Sequence, residues 1–166
     1  MMSNVSSEAS GGRRATAASP SLLEAAIERG GLHPFFHAKV SIQSGKIAGA
    51  EALARIAGPS AALSPPAPYV ELAERFNRID ALTLVMARAV AAHVVDFNTI
   101  AELPCSINVS PISLGRPSFA DELASVIKDA GLRCEQLTLE LTELRPLDYG
   151  ARAVETMMAL RNNGFG

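Results

Sequence analysis

Leu22, Leu23, Ala26 and Ile27 recur at helical spacing and stop at Gly30-Gly31, with Ser21 and Glu24 placed as a capping box. This predicts a first helix. Phe35 to Val40 then reads as a strand, Ser44-Gly45 as a turn and Lys46 to Ala54 as a second strand. The stretch from Gly58 to Pro68 is rich in proline and reads as a loop. Tyr69, Leu72, Phe76 and Ile79 share one helical face. Leu82, Val85, Met86, Ala89 and Val90 share another, in a helix capped by Asp80. Cys105 to Val109 is a third strand. Ser118 opens a helix carrying Leu123, Val126 and Ile127, and Gly131 closes it. Leu137 to Leu141 is a fourth strand. Asp148 is placed to cap a last helix bearing Val154, Met157 and Leu160, closed by Gly164.

After the opening strand pair, strands alternate with helices. That order predicts an α/β domain with mostly parallel pairing. Four strands, with a last helix and no strand after it, make an unfinished sheet: an (α/β) barrel needs eight strands and about 250 residues.

The strands alternate cleanly, and their polar faces carry the candidate chemistry. Thr138, Glu140 and Thr142 oppose Leu137, Leu139 and Leu141; Ser106, Asn108 and Ser110 oppose Cys105, Ile107 and Val109; Gly49, Glu51, Leu53 and Arg55 share a face. A carboxylate within a strand is costly unless paired or metal-bound. Taken singly, each residue has a plainer reading: a strand Glu facing solvent or a salt bridge, an Asn capping a turn, an Arg ending a strand at the surface. Three oxygen donors at the same station change the picture. Glu51, Asn108 and Glu140 suit Mg²⁺ or Mn²⁺ better than Zn²⁺, and Arg55, four residues after Glu51, is placed to clamp a phosphate. Metal plus arginine suggests phosphoester chemistry.

Other chemistries lack their signatures. The chain has no GxSxG elbow, GxxxxGK[ST] loop or GxGxxG fingerprint. His33, His37 and His93 show no ligand spacing, and Met157-Met158 reads as core. Cys105 and Cys134 have no CxxC spacing; Cys105 reads as a small core residue, and a reducing cytoplasm is the expected compartment. The 166 residues are 48% hydrophobic and 19% charged, with a net charge of −2, which gives no electrostatic case for nucleic acid or an anionic membrane. No apolar run approaches a membrane span. Residues 1–19 are rich in Ser, Ala and Gly; Arg13-Arg14 has no apolar run behind it, so the segment reads as a disordered tail or linker ahead of a single domain over residues 20–166.

Together these islands resemble the EAL family of bacterial cyclic-di-GMP phosphodiesterases. Phe35-Phe36-His37-Ala38-Lys39-Val40, Gly49-Ala50-Glu51-Ala52-Leu53-Ala54-Arg55, Tyr69-Val70-Glu71-Leu72-Ala73-Glu74, Ile107-Asn108-Val109-Ser110-Pro111 and Leu139-Glu140-Leu141-Thr142-Glu143 follow in the family's order. A bare Glu-Ala-Leu has no diagnostic value; the ordered set does. The resemblance implies a TIM-like barrel, of which this chain holds about the first four strands. It also implies hydrolysis of cyclic-di-GMP to pGpG with two Mg²⁺ or Mn²⁺ ions. Glu51, Asn108 and Glu140 match metal ligands, Arg55 a phosphate contact, Leu53 a residue lining the nucleotide pocket, and Glu143 a carboxylate steadying a catalytic loop.

The chain departs from the family's pattern in three places. His37-Ala38 stands where Gln-Pro is usual, so a substrate contact falls to His37, and Ile56 follows Arg55 where an aromatic is common. The family's Asp-Asp-Phe-Gly strand end, catalytic lysine and later acidic and amide residues have no counterpart. The resemblance therefore implies a truncated domain that is inactive alone and associates through an open barrel edge. The competing expectation is a degenerate module that binds cyclic-di-GMP or a protein without catalysis.

Overall fold

The computed structural model describes residues 18–58, 63–96, 103–142 and 150–166. Asp148, Glu143 and nearly all of the expected tail lie outside the described residues. In chain order the elements are α1 (Pro20–Glu28), β1 (Leu32–Val40), β2 (Ile47–Ala57), β3 (Leu63–Ser64), α2 (Ala67–Arg75), α3 (Ile79–Asp96), β4 (Cys105–Val109), α4 (Phe119–Asp129), β5 (Leu137–Leu141) and α5 (Ala151–Asn162). Short 3₁₀ turns at Pro111–Gly115 and Cys134–Gln136 complete them.

The sheet runs β1-β2-β4-β5, with the two-residue β3 added to the end of β2. β1 is antiparallel to β2, whereas β2, β4 and β5 are parallel. The hairpin closes through Ser41–Lys46, where Gly45 takes a φ of 65° in the left-handed region that glycine tolerates. The connections from β2 to β4 and from β4 to β5 carry helices, as parallel pairing requires.

One sheet face is the core. Cys105, Ile107, Val109 and Leu137 are fully buried beside Leu114, Phe119, Leu123 and Ile127. Beyond the last helix the backbone returns to the sheet: Leu139 donates to the Gly166 carbonyl at 3.1 Å, and the Gly166 N–H donates to the Leu137 carbonyl at 3.1 Å. Gly166 thus lies alongside the outer edge of β5.

Several expected boundaries move, each for a local reason. Ser19, not Ser21, caps α1: its hydroxyl accepts from the Leu22 N–H at 3.3 Å, and Pro20 takes the first turn, where no N–H is needed. Asp80 sits inside the first turn of α3 rather than capping it, because its carboxylate is drawn to Arg116. Ser118 makes no capping bond, since its hydroxyl accepts from Arg116 at 2.8 Å. β2 runs on to Ala57, and the proline-rich stretch contains β3 and the start of α2. In α5 the buried line is Ala153, Thr156 and Leu160; Val154, expected on that stripe, is 44% exposed.

Candidate metal and phosphate site

Register places the polar faces of four strands on one side of the sheet. Lys39 pairs with Gly49, His37 with Glu51, Phe35 with Leu53 and His33 with Arg55. Glu51 pairs with Ser106, and Asn108 with Glu140. Successive strand side chains alternate faces, so these residues share the face opposite the buried Ile107 and Leu137. The parity expected from sequence for Glu51, Asn108 and Glu140 is the parity observed.

The three oxygen-bearing residues are linked. Asn108 Nδ2 donates to Glu51 Oε1 at 2.8 Å, which fixes the amide and leaves its carbonyl oxygen as an acceptor. Asn108 is at the same time the direct register partner of Glu140. Glu140 is held by Lys39, whose ammonium donates both to Glu140 Oε1 and to Ser106 Oγ, the latter at 2.7 Å. The Lys39 ammonium holds the Glu140 carboxyl below the usual carboxylate range, partly offset by desolvation. Ser106 is 2% exposed, a buried hydroxyl. Among the described residues no three His, Cys, Asp or Glu side chains converge; the donor set is two carboxylates and one amide.

Arg55 lies toward the C-terminal end of β2. Its guanidinium donates to the Ala54 carbonyl at 2.8 Å and stands 5.6 Å from the Phe35 ring centroid, a cation–π contact across the β1–β2 pair. Leu53 lines a cavity of about 210 Å³ with Val70, Leu82, Met86, Asn108 and Thr142. The Thr142 hydroxyl is buried without a hydrogen-bond partner among the described residues. His37 is exposed beside Glu51. Ser110, just past β4, donates to Glu74 Oε1 of α2 at 2.7 Å and accepts from the Ile112 N–H at 3.3 Å, pinning the turn that follows Asn108.

Lys39 and Ser106 are the site neighbours that ligand-type reasoning passes over. The signal for both is parity: Lys39 is two residues from His37 on the same face, and Ser106 two from Asn108. Cys105 and Cys134 are buried free thiols, and desolvation pushes Cys105 up to about 11. No helix among the described residues is long and apolar enough to cross a membrane.

A family profile described as the EAL domain matches residues 21–166. The chain belongs to the EAL domain family. It is 33% identical over 149 residues to a probable cyclic di-GMP phosphodiesterase, PdeG, of Escherichia coli, covering 87% of this chain and 29% of that protein. It is 24% identical over 141 residues to the cyclic di-GMP phosphodiesterase RocR of Pseudomonas aeruginosa, covering 84% of this chain and 36% of that one. The PaMucR phosphodiesterase, solved as a c-di-GMP complex, superposes with a TM-score of 0.74 at 23% identity, over 87% of this chain and 59% of that chain. The chain therefore spans well under half the length of these two curated relatives. Its α/β architecture is that of EAL domains, which are TIM-like barrels, with the described strands forming part of such a barrel.

Proposed function

We propose that this EAL chain supplies the first part of a cyclic-di-GMP phosphodiesterase site, with Glu51, Asn108 and Glu140 as divalent-metal ligands and Arg55 as a phosphate contact. The supporting observation is the linkage of Glu51 to Asn108 and of Asn108 to Glu140 on one sheet face. The donors fit Mg²⁺ or Mn²⁺: they are hard oxygens, and the Asn108 amide is already turned with its nitrogen toward Glu51. Such an ion, when bound, polarises a phosphate oxygen and acidifies a coordinated water. This chain's own residues hold position: Asn108 aligns Glu51, Lys39 and Ser106 align Glu140, and Phe35 supports Arg55. His37 and Leu53 are assigned to substrate, and Glu143 keeps the role the family resemblance gives it, the carboxylate for a catalytic loop.

Two carboxylates are few for a two-metal site, so a catalytic centre of that kind needs ligands beyond these three residues. The isolated chain then binds Mn²⁺ weakly, does not hydrolyse cyclic-di-GMP and self-associates through an open barrel edge. Mn²⁺ calorimetry on the chain and its E51Q and E140Q variants tests the ligand set, with turnover and light-scattering mass recorded alongside. Affinity should fall about tenfold or more in each variant; unchanged affinity in both rejects the ligand assignment.

A second reading, a module that binds cyclic-di-GMP or a protein without catalysis, draws support from His37-Ala38 and from the ammonium seated against Glu140. Cyclic-di-GMP binding without turnover, also in a longer EAL-containing chain, favours it.

A further inference from the structure

Lys39 occupies the very carboxylate oxygen that the phosphodiesterase reading reserves for a metal ion. It lies on β1, while its partner Glu140 lies on β5, three inter-strand steps away. In a flat sheet those strands stand about 14 Å apart. Lysine and glutamate meet here because both side chains are long and the residue facing Lys39 on β2 is Gly49, which puts no side chain between them. Ser106, small and buried on β4, receives the second ammonium N–H at 2.7 Å. The β1–β2 register also slips immediately after Lys39: Lys39 pairs with Gly49 but Val40 with Ile47, leaving Ala48 as the extra residue. Such irregularities re-aim neighbouring side chains. Three features thus converge on one placement: the bulge, the glycine gap and the buried hydroxyl.

We propose that Lys39 is a positioning residue that stands in for the divalent cation at Glu140, holding that carboxylate toward the centre of the face until the ion displaces it. This rests on the reading of Glu140 as a metal ligand. The ammonium and a divalent ion compete for the same oxygen, so Lys39 sets the threshold cation concentration at which the site fills. It also keeps Glu140 from turning to solvent in the metal-free protein. Once displaced, the ammonium stays tethered to the same face, within reach of an anionic ligand.

The test uses the whole chain and free Mn²⁺ measured by electron paramagnetic resonance. K39M should raise Mn²⁺ affinity about tenfold, K39R should stay near wild type, and adding E140Q to K39M should abolish the gain. Unchanged affinity in K39M, with E140Q alone still weakening binding, overturns the role of Lys39 and leaves the metal reading standing. No effect of E140Q in either background overturns both. A second measurement avoids variants altogether and decides the matter if K39M folds poorly. Acetylation of Lys39, followed by mass spectrometry against Lys46 and Lys128, should rise when Mn²⁺ is added. Labelling that Mn²⁺ leaves unchanged overturns the displacement.

Discussion

Asn108 and Glu51 are joined across the β2–β4 boundary by a 2.8 Å hydrogen bond in which the amide nitrogen donates and the carboxylate accepts. The pair does two things at once. It satisfies one carboxylate oxygen without a cation, and it orients the amide carbonyl for one. Replacing the donor by an acceptor should separate these effects. Asn108→Asp puts like charge against Glu51, so the metal-free chain should lose up to about 1 kcal/mol of stability. Mn²⁺ should recover that loss by binding the native state. Thermal melts with and without Mn²⁺ check it; equal Mn²⁺ shifts in variant and wild type count against the site.

Gly49 is confined for a packing reason. A Cβ there would stand 2.7 Å from the Pro104 carbonyl oxygen, closer than β2 and β4 permit. Gly49→Ala should cost about 1–3 kcal/mol, read as a lower urea midpoint at unchanged slope. A midpoint equal to wild type would mean that the two strands separate at no cost.

Arg116 joins α3 to α4, donating to Asp80 of α3, to Ser118 and to both Glu122 oxygens of α4. Its contact holds the Glu122 carboxyl below the ordinary value, opposed in part by desolvation, and raises the guanidinium still further. A carboxyl lowered on folding stabilises the protein above its unfolded pKa of about 4.5 and loses that contribution as pH falls through the folded value. Stability should therefore decline below about pH 4.5, and Glu122→Gln should flatten that part of the profile. Because these side chains are partly exposed, solvent screening limits the effect to about 1 kcal/mol. Denaturant midpoints at stepped pH measure it.

Cys105 is 1% exposed and its thiol is pushed up to about 11 by burial. The native chain should resist iodoacetamide at pH 8, with Cys105 and Cys134 both alkylated once urea unfolds it. Rapid native labelling at Cys105 would show that β4 opens far more readily than a core strand should.

Legibility in the sequence followed locality. β4 and β5 are legible to the residue because five-residue alternation is a complete local signal, and the same parity places Glu51, Asn108 and Glu140 on one face. Arg55 and Leu53 followed from it. Contacts distant along the chain escaped. Asp80 looked like a helix cap until Arg116, 36 residues on, supplied its partner. Lys39 meets Glu140 across 101 residues, and no spacing rule links them. Val154 and Leu160 share one stripe by spacing, yet the side of α5 that turns inward depends on what packs against it. The 3₁₀ turn at Pro111–Gly115 was hidden because Ser110, which caps it, also bonds Glu74 on α2.

The glycine two residues ahead of Glu51 gives the signature segment a double reading in mutational tolerance. A scan scoring protein abundance and ligand response separately should find both positions intolerant for different reasons. At position 49, substitutions deplete the protein, since the damage is to the approach of two strands. At position 51, which is half-buried, substitutions leave abundance intact and silence the response. The segment would then split into one residue that builds the wall and one that faces the room.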